Sequence, residues 1–201
     1  MSRLPAAQRR EQLLDTAALL FARRGYSRTT TAELAKAAGI TEPVLYRHFQ
    51  SKRALFIALL DRTGEEVIAG WEQQLSEAKT PAERIQLLLG ANPMTTNQGK
   101  GVYRVVVQGL TEIEDREIRK AIKRHINRLH AFLVAQLTDA RKSGQLVAKA
   151  DLELIAYLLM HLALGYGLIA PIGVPGHRKK ASGEHIVRLL KTLLVGGDSA
   201  K

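Results

Sequence analysis

The stretch Thr41-Glu42-Pro43-Val44 offers short polar and apolar side chains at one point of the chain, and Tyr46, His48 and Lys52 follow closely. Phenol, imidazole and ammonium groups at this spacing are donors suited to phosphate oxygens, whereas a helix opening on Thr, Glu and Val suits base edges. Other chemistries find less support. Gly165-Tyr-Gly167-Leu-Ile-Ala170 fits a dinucleotide fingerprint in outline, but no strand precedes it and Pro171 and Gly173 follow where a helix should run. His125 and His130 lack metal-ligand spacing, and the acidic run Glu112, Glu114, Asp115 and Glu117 reads as a solvated helix start. With no cysteine, disulfides, thiolate metal sites and cysteine nucleophiles are excluded together. No Ser-His-Asp arrangement can be built either. These readings imply a binding protein without catalytic residues, metal or cofactor.

The charge agrees. Thirty Lys and Arg stand against nineteen Asp and Glu, a net +11. Residues 1–55 hold ten of the cations and four of the acids, so charge density is about threefold higher there than in the remainder. That asymmetry favours a nucleic-acid footprint near the N-terminus over a uniformly basic surface. Arg3, Arg9 and Arg10 could form a basic arm for a minor groove, although solvated charge explains them better.

The elements that must position these groups read as helices throughout, because apolar residues recur at spacings of three and four. The expected class is all-α with about nine helices. The first runs from Ala6 to Arg24 over Leu13, Ala17, Leu20 and Phe21. Thr30 and Glu33 form a capping box, Gly39 ends the short helix they open, and Thr41 caps the next with Pro43 in its first turn. Two short helices joined by a tight turn in a basic region make a helix-turn-helix over 30–49. Its second helix presents N-terminal residues to a major groove. Leu45 and Phe49 suit the buried positions and leave Tyr46 outside. Lys52 opens a helix where the dipole disfavours a cation, which asks for another reason for its presence.

The segment RREQLLDTAALLFARRGY and the stretch TTTAELAKAAGITEPVLYRHFQSKRALFIALL resemble the DNA-binding domain of the tetracycline-repressor (TetR) family over about residues 7–67. The resemblance implies base or near-base roles for Thr41, Glu42, Pro43 and Val44, and phosphate roles for Thr31, Tyr46, His48 and Lys52. It implies a DNA-binding domain at 1–67, an effector-binding and dimerisation domain at 68–201, and no enzymatic activity. A departure lies at Ala32, where some relatives carry a guanine-reading arginine. Arg28 and Arg47 are candidates for the missing contact. Glu42 could accept from a cytosine amino group or simply complement the helix dipole.

Beyond residue 68 the resemblance rests on length and helical pattern alone. Thr80 starts a helix over Ile85, Leu88 and Leu89; 90–101 reads as a loop or irregular short helix; another helix resumes at Val102. A long helix then covers about 115–142, and an apolar one runs from Asp151 to Pro171. A membrane span over 152–174 is countered by Glu153, His161, Gly165, Gly167 and Pro171. The N-terminus has no apolar stretch of signal-peptide type, so a cytoplasmic protein is expected. Leu152, Ile155, Leu159, Leu162 and Tyr166, with Ile186, Leu189, Leu190 and Leu193, exceed what one small domain buries, and a homodimer face is expected there. Trp71, Tyr103, Arg104, His125, Arg128, Tyr157 and His161 place polar and aromatic groups amid apolar ones. They suit a cavity for a small-molecule effector of unspecified chemistry, although each alone also fits a core or interface residue. The resulting expectation is a homodimer on double-stranded operator DNA, a repressor released by that effector. A non-specific architectural DNA binder and an activator of the same fold are the alternatives.

Overall fold

The computed structural model describes residues 4–90, 97–147, 149, 151–169, 172–174 and 180–195. Nine helices occupy them: α1 Ala6–Arg24, α2 Thr31–Ala37, α3 Glu42–His48, α4 Lys52–Leu75, α5 Pro81–Gly90, α6 Asn97–Thr111, α7 Arg116–Lys142, α8 Leu152–Ile169 and α9 Lys180–Val195. No strand occurs among the described residues, in keeping with the all-α expectation. One difference is the start of α6, which takes in Gly99 and Gly101 and begins five residues before Val102. Glycine disfavours helix without forbidding it.

The chain divides into two compact units. One joins residues 1–65 to 101–126, and the other joins 66–100 to 127–201. A linear cut near residue 67 therefore does not describe the compact grouping, which takes the described end of α6 and the first part of α7 into the N-terminal unit.

In the first unit the core holds Leu13, Leu14, Ala17 and Phe21 of α1, Leu34 and Ala35 of α2, Leu45 of α3, and Leu55, Phe56, Leu59 and Leu60 of α4. Phe21 meets Phe56 edge-on at 5.3 Å between ring centroids, and Tyr26 lies 4.5 Å from Phe56. Polar contacts bind the end of α6 and the start of α7 into this unit, among them the Gln108 side-chain amide donating to the Phe21 carbonyl. The Ser27 hydroxyl donates to Glu112, Arg53 pairs with Asp115 at 3.1 Å, and Arg124 grips both oxygens of Asp61 at 3.1 and 2.9 Å. The acidic run is thus more than a solvated helix start, since Asp115 also caps α7 through the Glu117 and Ile118 amides. Gly109 of α6 permits a close approach: a Cβ there would lie 2.6 Å from Cδ1 of Ile122 on α7.

In the second unit α5 packs on α9, and Arg84 of α5 donates to Gln136 of α7 at 2.7 Å. Trp71 stacks on Phe132 at 5.5 Å, and the Val147 amide donates to the Leu194 carbonyl at 2.8 Å. Asp151 caps α8 through the Glu153 amide. The inner row of α8 is Ile155, Ala156 and Met160. Ile155, expected on the dimer face, is 5% exposed and belongs to the protomer's own core. Leu152, Leu159 and Leu190 are half-buried, and the Tyr166 side chain lies outside the described set. The outward rows are Leu154, Leu158 and Leu162 on α8 and Ile186, Leu189 and Leu193 on α9, all exposed. The correction has a plain cause: α8 is apolar nearly all round, so periodicity alone cannot tell its inner row from its outer one. Among the described residues no helix is long and apolar enough to cross a membrane.

Candidate nucleic-acid interface

The local sequence builds the helix-turn-helix from its ends. Thr30 Oγ1 accepts from the Glu33 amide at 3.2 Å, and the Glu33 carboxylate accepts from the Thr30 amide at 2.9 Å. These bonds complete the expected capping box. The Thr30 amide, the Thr30 hydroxyl and the Arg24 guanidinium together hold the Glu33 carboxyl below its usual range. At the other end of α2 the chain reverses through Gly39, whose φ of +66° disfavours a side chain. The Ile40 amide returns to the Ala35 carbonyl at 3.0 Å and the Gly39 amide to Lys36 at 3.1 Å. That pairing satisfies the last carbonyls of α2 and sets the turn into α3.

α3 is fixed from beneath and open above. Leu45 and Phe49 are buried at 0% and 4% exposure, and Arg10 lies over the Phe49 ring at 4.9 Å. Thr41 is the N-cap residue by backbone, yet its hydroxyl makes no capping hydrogen bond. Thr41, Pro43, Tyr46 and Arg47 are exposed, while Glu42, Val44 and His48 are half-buried. The Tyr46 hydroxyl lies 3.4 Å from the Thr31 hydroxyl, so the α2 start and the middle of α3 present adjacent donors. Arg28 is exposed and donates from Nε to the Arg24 carbonyl at 2.9 Å, which leaves the rest of its guanidinium outward. Ala32 is exposed at the start of α2.

Lys52 has a partner that the sequence reading did not foresee. Its ammonium donates to the Tyr26 carbonyl at 3.0 Å and sits 4.4 Å from the Tyr26 ring centroid. The cation that opposes the α4 dipole is thereby explained within the fold, as a clasp on the α1–α2 connection. The signal was present as an aromatic residue after a helix-ending Gly25, but its pairing with Lys52 spans 26 residues.

The residues expected to line an effector cavity distribute differently. Tyr103 and His125 are buried with ring centroids 6.2 Å apart, and burial pushes the Tyr103 phenol up to about 12. Tyr157 lies 4.0 Å from His130 and 6.2 Å from His161, ring to ring. His130 also approaches the Glu153 carboxylate at 3.5 Å. Tyr157 and His161 are exposed on the outward side of α8, and Arg104 and Arg128 are exposed as well. Solvent exposure withdraws these four from the lining of an enclosed protomer cavity; Trp71 and Phe132 remain as the stacked aromatic pair.

A buried-underside, exposed-topside helix entered through a glycine turn defines a helix-turn-helix DNA-binding protein. The profile described as "Bacterial regulatory proteins, tetR family" matches residues 13–59. The nucleoid occlusion factor SlmA of Vibrio atlanticus is 32% identical over 137 residues, covering 68% of this chain and 69% of that one. The transcriptional activator FasR of Mycolicibacterium smegmatis is 38% identical over 90 residues, 45% of this chain and 41% of that protein. The reduced form of NemR from E. coli superposes with a TM-score of 0.80 at 24% identity, covering 94% of this chain and 99% of that one. The chain belongs to the TetR family of bacterial regulatory proteins, and is a DNA-binding transcriptional regulator rather than an enzyme.

Proposed function

We propose that this chain acts in the cytoplasm as a homodimeric repressor that binds an inverted-repeat operator and is released by a small-molecule effector. The observation that carries the reading is the exposed start of α3, with the Thr41 hydroxyl left unused by the helix cap. Thr41, Glu42, Pro43 and Val44 face base edges. Thr31, Tyr46 and His48 hold phosphates, Lys52 adds a donor beside its clasp, and Arg28 or Arg47 covers the position opposite Ala32. Two copies joined through the outward rows of α8 and α9 would present two such helices about 34–36 Å apart, or at a multiple of that spacing.

A DNA-binding domain over 1–67 and a regulatory domain over 68–201 remain the functional division. The compact grouping of 101–126 with the first unit supports a route for coupling, because α6 and α7 each belong partly to both units. An effector that prefers one arrangement would shift operator affinity by its differential binding, of order 1–3 kcal/mol. Tyr103 and His125, buried together within one unit, are the best-placed candidates for its contacts. Similarity to FasR favours a second reading, activation, which a promoter–reporter assay with the bound site moved relative to the start separates from repression.

The test is selection from random duplexes. The parent should enrich an inverted repeat, and Thr41→Val or Val44→Thr should change the enriched bases while keeping the half-site spacing. Enrichment of no sequence would leave an architectural DNA binder and refute the operator reading.

A further inference from the structure

Outside the first 55 residues, the surplus charge is concentrated rather than spread. Residues 116–124 hold Arg116, Arg119, Lys120, Lys123 and Arg124 against Glu117 alone, while the rest of 56–201 holds fifteen cations and fourteen acids. All five cations are exposed along the first half of α7, and Ile118, Ala121 and Ile122 on its other side are buried.

The fold uses this face incompletely. Arg124 is held by Asp61, Lys120 meets Glu117 at 2.8 Å, and Arg119 donates to the Ile113 carbonyl at 2.7 Å. Among the described residues Arg116 and Lys123 form no ion pair. Cations three and four positions apart, such as Arg116 with Lys120 and Arg119 with Lys123, repel one another on a helix surface. Arg116 and Arg119 also lie in the first turn of α7, where the dipole disfavours positive charge. The arrangement opposes helix stability and so points to an anion outside the chain.

We propose that this face of α7 is a second, sequence-independent contact for the phosphates of duplex DNA, beyond the operator contact of α3. The face carries no exposed apolar or aromatic anchor, so it offers only charge and hydrogen bonds, which is what backbone contact needs. An interfacial membrane helix would require an apolar side in addition. Arg116, Lys120 and Lys123 fall within a run of about 10 Å, enough for roughly three successive phosphates of one strand. The stretch through Ile126 also belongs to the compact unit that holds the helix-turn-helix.

The test compares two full-length variants that lose the same charge: Arg116→Gln/Lys120→Gln/Lys123→Gln, and Lys79→Gln/Lys142→Gln/Lys149→Gln at exposed positions elsewhere. Anisotropy with a labelled random-sequence duplex of about 40 base pairs, over roughly 50–200 mM KCl, gives the slope of log affinity on log salt. The α7 variant should flatten that slope by about 2–3 relative to the parent, and the control by well under 1. A slope equal to the control's overturns the proposal. Melting should be unchanged or raised, since repulsion is relieved; if it falls, the single variant Lys123→Gln must still flatten the slope by about 0.9. Loss of binding to phosphatidylglycerol vesicles or to polyglutamate, with a DNA slope equal to the control's, also overturns it and assigns the face to a lipid or an acidic protein. Failure of the operator reading is seen separately, in the duplex selection.

Discussion

Leu158 provides the sharpest test of how two copies meet. It is 52% exposed on the outer row of α8, beside Leu154 at 64%, whereas Ile155 one helix face away is 5% exposed. Fully burying a leucine contributes about 1.5–3 kcal/mol relative to leaving it exposed. Covering the exposed half in a dimer therefore contributes about 1 kcal/mol per copy, and a two-fold interface counts the change twice. Leu158→Ala should weaken dimerisation by about 1.5–3 kcal/mol, roughly 10- to 150-fold in Kd. Leu158→Asp should do more, since each copy would bury a charge without a partner. Ile155→Ala should behave in the opposite way: a loss of about 2–5 kcal/mol in protomer stability from the cavity it leaves, without direct loss of interface contacts. Sedimentation equilibrium across protein concentration reads the first effect, and chemical denaturation of the same samples reads the second. The assignment of the outer row fails if Leu158→Asp sediments as a dimer at every concentration where the parent does.

The clasp on Tyr26 separates two residues that sequence reasoning treats alike. Lys52→Ala should lower stability by about 1–2 kcal/mol, a melting shift of roughly 2–8 °C, together with weaker DNA binding. Tyr46→Phe should weaken binding to all duplexes and leave melting unchanged; a melting loss equal to that of Lys52→Ala would show that Tyr46 is structural. Tyr103 predicts an alkaline effect. An unfolded tyrosine titrates near 10 and the buried phenol near 12, so its contribution is fully present below 10 and is lost as pH rises through 12. The loss reaches about 3 kcal/mol. Tyr103→Phe should flatten the fall in stability across that window, and identical pH profiles for parent and variant would contradict the assigned burial.

The sequence was most legible where local chemistry decides structure. Thr30 with Glu33, Gly39, Asp115 and Asp151 mark helix ends through bonds to residues two to four positions away, and those ends stand where the pattern places them. The inner side of α7 was legible for the same reason, because its polar face marks out the apolar row: Ile118, Ile122, Leu129, Leu133, Leu137 and Ala140 are buried, and Ile126 of the same row is half-buried. Long-range choices were not. Which side of α8 faces inward depends on the helices packed against it, and no residue within α8 encodes that. Lys52 finds Tyr26, and Asp115 finds Arg53 across 62 positions, through tertiary proximity that charge and spacing leave open. Of the effector candidates, the buried Tyr103 and His125 and the exposed Tyr157 and His161 are the same residue types, so composition could not sort them.

The compact grouping changes what regulation must act on. With the functional division at residue 67, α4 is the helix that runs across it. In addition, Ser27 and Arg53 are tied to Glu112 and Asp115, and Asp61 is tied to Arg124, so the loop between α6 and α7 travels with the helix-turn-helix. These are exposed polar links, individually worth little, yet they sit around the close Gly109–Ile122 contact that lets α6 lie against α7. An apolar approach of that kind resists continuous deformation and favours discrete arrangements. Under the proposed function, a ligand that displaced α6 would load the Ser27–Glu112 and Arg53–Asp115 links. Ser27 lies in the connection between α1 and α2 and Arg53 in the first turn of α4, so on that reading a change at these links would reach the helix-turn-helix without any contact between effector and DNA.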